Sequence, residues 1–145
     1  MEPDWCPPHA YVPGKTPRHP EGLFDPLKRV DQGNPEQSIA WREGLRMLQS
    51  GYYWEAHEVL EAVWMAIPDG QPERKAVQGV IQIANAALKW RMQKPKAARR
   101  LQTIAMALLH EAGLSQGGQV MGLTAAEIDA LWACCKAESC IKDAL

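Results

Sequence analysis

The chain has 145 residues, with 16 Lys and Arg against 17 Asp and Glu, a formal net charge of −1. Apolar residues make up 46% and charged residues 23%, which suits one soluble globular domain burying roughly 68–70% of its unfolded surface. The balanced charge excludes a protein whose whole surface binds nucleic acid, no apolar run approaches the ~20 residues of a membrane helix, and Met1-Glu2-Pro3-Asp4-Trp5 lacks the basic and apolar regions of a signal peptide.

Seven of the eleven prolines fall in the first 26 residues, so 1–33 reads as an extended arm and 34–145 as the helical domain. Asn34-Pro35 reads as an N-cap with proline at the first helical position. Ile39, Trp41, Leu45 and Leu48 then continue a helical apolar pattern to the C-cap at Ser50-Gly51. Helix two is expected from about Tyr52 to Ile67, before Pro68-Asp69-Gly70, and helix three from Pro72 to about Gln93. Helix four opens at Pro95 and reaches Ala112-Gly113; Gly113 to Gly122 is a loop. Thr124-Ala125-Ala126-Glu127 has capping-box spacing and opens helix five, through about Asp143. Three of the four cysteines, Cys134, Cys135 and Cys140, fall in this last helix, and with Cys6 they form no CxxC pair. That disfavours a disulfide framework or a cysteine zinc site and fits a reducing, cytoplasmic setting. No alternating pattern suggests a sheet. The expectation is all-α, a compact antiparallel bundle of about five helices with a Pro-rich N-terminal arm.

Helix two is the informative segment. At about 100° per residue, Ala56, Leu60, Val63 and Ile67 form its apolar stripe, flanked by Tyr53, His57 and Trp64. Trp54, Glu58 and Met65 extend the arc, leaving Glu55, Ala62 and Ala66 as the exposed sector. His57, Glu58 and Glu61 then fall inside a largely covered surface, close enough to converge by i,i+3 and i,i+4 spacing. A buried carboxylate must find partners. On helix three, Arg74, Gln78, Gln82, Asn85 and Lys89 form one stripe, amides between bases, suited to a buried network. Five acids and no Lys or Arg lie between Met47 and Glu73, whereas eight bases and no acid lie between Arg74 and His110. An acidic helix is therefore expected to face a basic one. Two readings follow: a network locking helices two and three, or a polar pocket between them with Trp54, Trp64, Arg74, Gln78, Gln82, Asn85 and Arg18 as binding residues.

His57-Glu58-x-x-Glu61 is similar to the zincin pattern without its second histidine. His57 and Glu61 can offer a nitrogen and a carboxylate to a divalent metal, with Glu58 as base or third ligand, or with His19 or Asp25 of the arm completing the set. Without metal, His57 can serve as acid or base with Glu61 orienting it. A separate basic stretch, Lys89 to Arg100 around Trp90, offers an anion or nucleic-acid surface, although bases also suit a helix C-terminus. His110 is expected at the surface. The arm is expected to fold across the pocket and contribute Arg18 or His19. Apolar residues on the outer faces of the first and last helices offer a homodimer surface.

Gly51-Tyr-Tyr-Trp-Glu-Ala-His-Glu-Val-Leu-Glu-Ala-Val-Trp64, then Arg74 and Gln78-Gly-Val-Ile-Gln82, resembles the DUF309 family of small bacterial and archaeal helical proteins. Pro13-Gly-Lys-Thr-Pro-Arg-His-Pro20 is similar to the N-terminal segment of its bacterial members. The resemblance covers about residues 37–110 and implies antiparallel helices. It brings no established activity, only a loose designation as a predicted metal-dependent hydrolase. The family motif falls on Trp54, His57, Glu58, Glu61, Trp64, Arg74, Gln78, Gly79 and Gln82. Relatives place a histidine near positions 88–89, where this chain has Leu88-Lys89, so helix three supplies no such metal ligand. The expected protein is a cytoplasmic helical protein whose ligand is a small molecule or none, with metal-dependent hydrolysis and nucleic-acid or anion binding as the alternatives.

Overall fold

A computed structural model describes residues 5–133. Four long helices follow one another: α1 (Ile39–Gln49), α2 (Tyr53–Ala66), α3 (Pro72–Arg91) and α4 (Pro95–Glu111). Residues 125–133 are helical again and are labelled α5. Among the described residues there is no strand, only an isolated bridge between Val120 and Leu123. The fold is all-α. The expected end of α5 near Asp143, and Cys134, Cys135 and Cys140, lie outside the described residues.

The helix boundaries have local causes. Pro35 does not open α1: it starts a 3-10 turn, Pro35–Gln37, and Ser38 then adopts extended backbone (φ −69°, ψ 143°) before the helix proper. The Ser38 hydroxyl instead accepts the Asp31 N–H at 2.8 Å, which pins the arm's end to the start of α1. Gly51, at φ 87°, makes the left-handed step after α1 that a side chain would disfavour. Ile67 is extended (φ −92°, ψ 130°) because the residue before Pro68 is pushed out of the helical region. Prolines stand in the first turns of α3 and α4, where a missing N–H costs nothing. At α5 the Thr124 hydroxyl reaches the Glu127 carboxylate at 3.3 Å.

The links at 50–52, 67–71 and 92–94 are short, so successive helices run antiparallel, with α1 on α2, α2 on α3 and α3 on α4. The middle position of α3 explains its composition: Val77, Val80, Ile83, Ala84 and Ala87 are fully buried. Met47, Leu48, Leu60 and Val63 complete the centre from α1 and α2. Gly44 lets these two helices approach, since a Cβ there would run into Leu60.

The arm belongs to the same core. Val12, Phe24 and Leu27 are buried against it. The Arg46 guanidinium of α1 donates to the Trp5 carbonyl at 2.6 Å and to the Glu43 carboxylate at 2.6 Å. Burial works against that charge, but the bonds to Glu43 and Cys6 outweigh it and raise the Arg46 pKa above its ordinary value. No helix among the described residues is long and apolar enough to cross a membrane.

Candidate functional site

The arm changes which polar residues of α2 are covered. Glu55, expected in the exposed sector, is completely buried. Its Oε2 accepts the Tyr11 N–H at 2.7 Å and lies 2.6 Å from His19 Nε2. The His19 side chain is itself only 2% exposed. The cause is the arm, which lies over this side of α2 and brings its own aromatic residues. Tyr11 meets Trp54 edge-on at 5.1 Å, Phe24 meets Trp54 at 6.2 Å, and His9 stacks on His19 at 4.5 Å. Among the described residues, one nitrogen of the buried pair, His19 Nδ1, and one oxygen, Glu55 Oε1, have no hydrogen-bond partner.

The three residues expected inside a covered surface are nearer to water. His57 and Glu58 are half-buried, and the Glu61 side chain is 48% exposed. They nevertheless converge: one ligand atom from each lies within 4.8 Å of the other two. His57 Nδ1 faces the Trp54 carbonyl oxygen at 3.3 Å, so that bond needs its proton on Nδ1 and leaves a lone pair on Nε2 of the neutral ring. Nε2 in turn faces Glu61 Oε2 at 3.4 Å. Two acceptors placed so are reconciled by a proton or by a cation between them. The separation is also that of two ligands on one tetrahedral ion, about 3.4 Å for bonds near 2.1 Å. Glu58 already holds a positive group, since Lys28 Nζ of the arm sits 3.2 Å from its Oε2. Donor types and spacing therefore fit a divalent cation on one turn of α2.

A cleft of 610 Å³ opens beside this turn, between α2 and the arm rather than between α2 and α3. Arg18, His19, Phe24, Lys28, Trp54 and Glu58 line it. Arg18 and His19, expected at a pocket between α2 and α3, line this cleft of α2 and the arm instead. Asp25 lines it as well and lies 3.9 Å from Lys28 Nζ.

The wall expected from α3 is placed differently. Gln78, Gln82 and Asn85 are half-buried along its edge. Asn85 donates to Gln82 at 3.1 Å, and Gln78 lines a separate 420 Å³ groove with Asp69, Arg74 and Lys75. Trp64 and Arg74 pair with each other: the guanidinium lies 3.9 Å over the indole ring, and its Nε donates to the Trp64 carbonyl. Arg74 also bonds Asp69 at 3.1 Å, which closes the α2–α3 turn. The acidic block of α2 is therefore served by His19 and Lys28 of the arm and by its own His57. Among the described residues none of these carboxylates pairs with a base of α3. In the basic stretch, Arg91 donates to the Gly51 carbonyl at 2.6 Å and lies over Tyr53, and Arg99 lies over Trp90. His110 is exposed and bonds Ser115 at 2.6 Å.

A family model described as a domain of unknown function, DUF309, matches residues 41–101. Over that stretch the chain is similar to DUF309. No curated protein and no solved structure matches the chain. The DUF309 stretch contains Trp54, His57, Glu58 and Glu61 together with Arg74, Gln78 and Gln82. Arg18, His19 and Lys28, which form the other wall of the cleft, precede it.

Sequence reasoning missed Glu55, Tyr11, Phe24 and Lys28. The arm has no helical or alternating period, so nothing marks which of its residues turn inward. One signal was present. The sector holding Glu55, Ala62 and Ala66 carries one charge between two alanines, too few for a solvated helix face.

Proposed function

We propose that this chain is a cation-assisted hydrolase acting on a small molecule held between α2 and the arm. His57, Glu58 and Glu61 hold a divalent cation, and the cleft holds the substrate. The observation that carries the reading is the convergence of these three side chains within 4.8 Å at the edge of a cleft that Glu58 itself lines. Such an ion supplies Lewis acidity and a water made nucleophilic at neutral pH. The chain's own residues do the positioning. The Trp54 carbonyl sets the His57 ring so that Nε2 points toward Glu61, the arrangement by which an outer hydrogen bond fixes a ligating imidazole. Trp54 and Phe24 give the cleft an apolar wall, and His19 is kept in place by Glu55.

The test is titration of the full chain, purified with chelator and then dialysed, with Mn²⁺ and Zn²⁺ by calorimetry. One ion per chain is expected, lost in His57→Ala and in Glu61→Gln while the helical circular-dichroism spectrum persists. Hydrolysis of nitrophenyl acetate and nitrophenyl phosphate should then depend on the ion. A chain that binds neither ion overturns the reading.

A further inference from the structure

We infer that the cleft takes a phosphomonoester-type dianion, and that Lys28 makes its capture depend on the cation. The inference rests on the cation site proposed above. Two cations, Arg18 and Lys28, and three carboxylates, Glu21, Asp25 and Glu58, line the cleft, so as it stands the cleft carries a net −1 and repels an anion. Lys28 is spent on Glu58 at 3.2 Å, with Asp25 at 3.9 Å. Glu58 is also one of the three cation ligands. An ammonium and a divalent ion compete for that carboxylate, because like charges brought to one group repel. Loading the ion therefore loosens the hold of Glu58 on Lys28, in the wall of the cleft, and adds two positive charges beside that wall.

Arg18 is the second half of the anion site. It is exposed, its Nε donates to the Tyr11 hydroxyl at 3.4 Å, and its guanidinium lies 5.9 Å from the Tyr11 ring. Its terminal nitrogens bond no protein atom among the described residues. That fork suits the paired oxygens of a phosphate. A phosphomonoester has two charges and three terminal oxygens, enough to meet Arg18, Lys28 and the ion at once. A monocarboxylate has one charge and two oxygens and meets them only in part. The Trp54 and Phe24 side of the cleft receives an apolar body attached to the phosphate.

The probe is phenylphosphonate, which has the charge and shape of such an ester and cannot be hydrolysed. Calorimetry of the full chain should show phenylphosphonate binding at least about tenfold tighter with Mn²⁺ than without it, within the ordinary range of coupling between two sites. Lys28→Gln should split the two affinities, tightening Mn²⁺ and weakening phenylphosphonate in the presence of Mn²⁺, each by about tenfold. Arg18→Gln should weaken phenylphosphonate and leave Mn²⁺ unchanged. A purely structural Lys28 would not move the two ligands in opposite directions. If Mn²⁺ binds and phenylphosphonate does not, binds equally without the ion, or binds equally to Lys28→Gln, the inference is overturned and the cation site stands. If Mn²⁺ does not bind, both fall.

Discussion

At the scale of single residues, the decisive side chain is Glu55. A buried carboxylate persists because its partners are present, and here the partners are two groups of the arm, the Tyr11 N–H and the His19 ring. Glu55→Ala should therefore cost about 1–3 kcal/mol for each buried donor left without its acceptor. Replacing both halves with apolar groups, Glu55→Leu with His19→Phe, should recover much of that loss. Denaturant unfolding of the two variants checks the point, and a double variant as weak as the single one would contradict it. The Tyr11 amide, deprived of its acceptor in Glu55→Ala, should also exchange its hydrogen faster.

At the scale of elements, contacts between helices depend on small residues and on a few ion pairs. Gly44→Ala gains helix propensity, about 1 kcal/mol, but its methyl must displace the buried Leu60. Overpacking of about 1–3 kcal/mol wins, so a lowered urea midpoint with an unchanged slope is expected. Between α3 and α4, the bond from Lys75 at 2.8 Å holds the Glu111 carboxyl below its ordinary value of 4.5. A carboxyl lowered by folding adds stability that is present above its unfolded value and is lost as pH falls through the folded one. The pair is solvent-exposed and its effect small. The stability gap between the wild type and Lys75→Met should be visible at neutral pH and close in acid below 4.5; a gap that persists there would refute the assignment. The same scale explains what was legible beforehand. Prolines, glycines and the 3.6-residue period marked α2, α3 and α4 nearly to the residue, because those signals are local. Ser38 shifted the start of α1 through a bond to Asp31 seven residues away, and the covering of Glu55 came from 36 and 44 residues away. Amphipathic pattern records that a face is covered, not by what. The convergence of His57, Glu58 and Glu61 was readable from helical spacing, but their half-open setting was not.

At the scale of the whole molecule, the arm and the bundle form one unit whose stability should respond to the cation. An ion bound only by the folded chain, at a hundredfold its dissociation constant, adds about 2.7 kcal/mol. Thermal unfolding should therefore shift upward with Mn²⁺ in the wild type and not in His57→Ala. A shift of equal size in both would place the ion elsewhere. The bonds that fasten the arm also have a bearing on the order of assembly. Tyr11 and His19 leave the ribosome before α2 exists, and Glu55 follows 44 and 36 residues later. The helical hairpins close over short distances and can form on their own schedule, whereas the arm has no place to dock until they have done so. Contacts made after the rate-limiting step slow unfolding and leave folding unchanged. His19→Ala should accordingly raise the unfolding rate and spare the folding rate, which makes the arm a late clasp on a bundle already assembled.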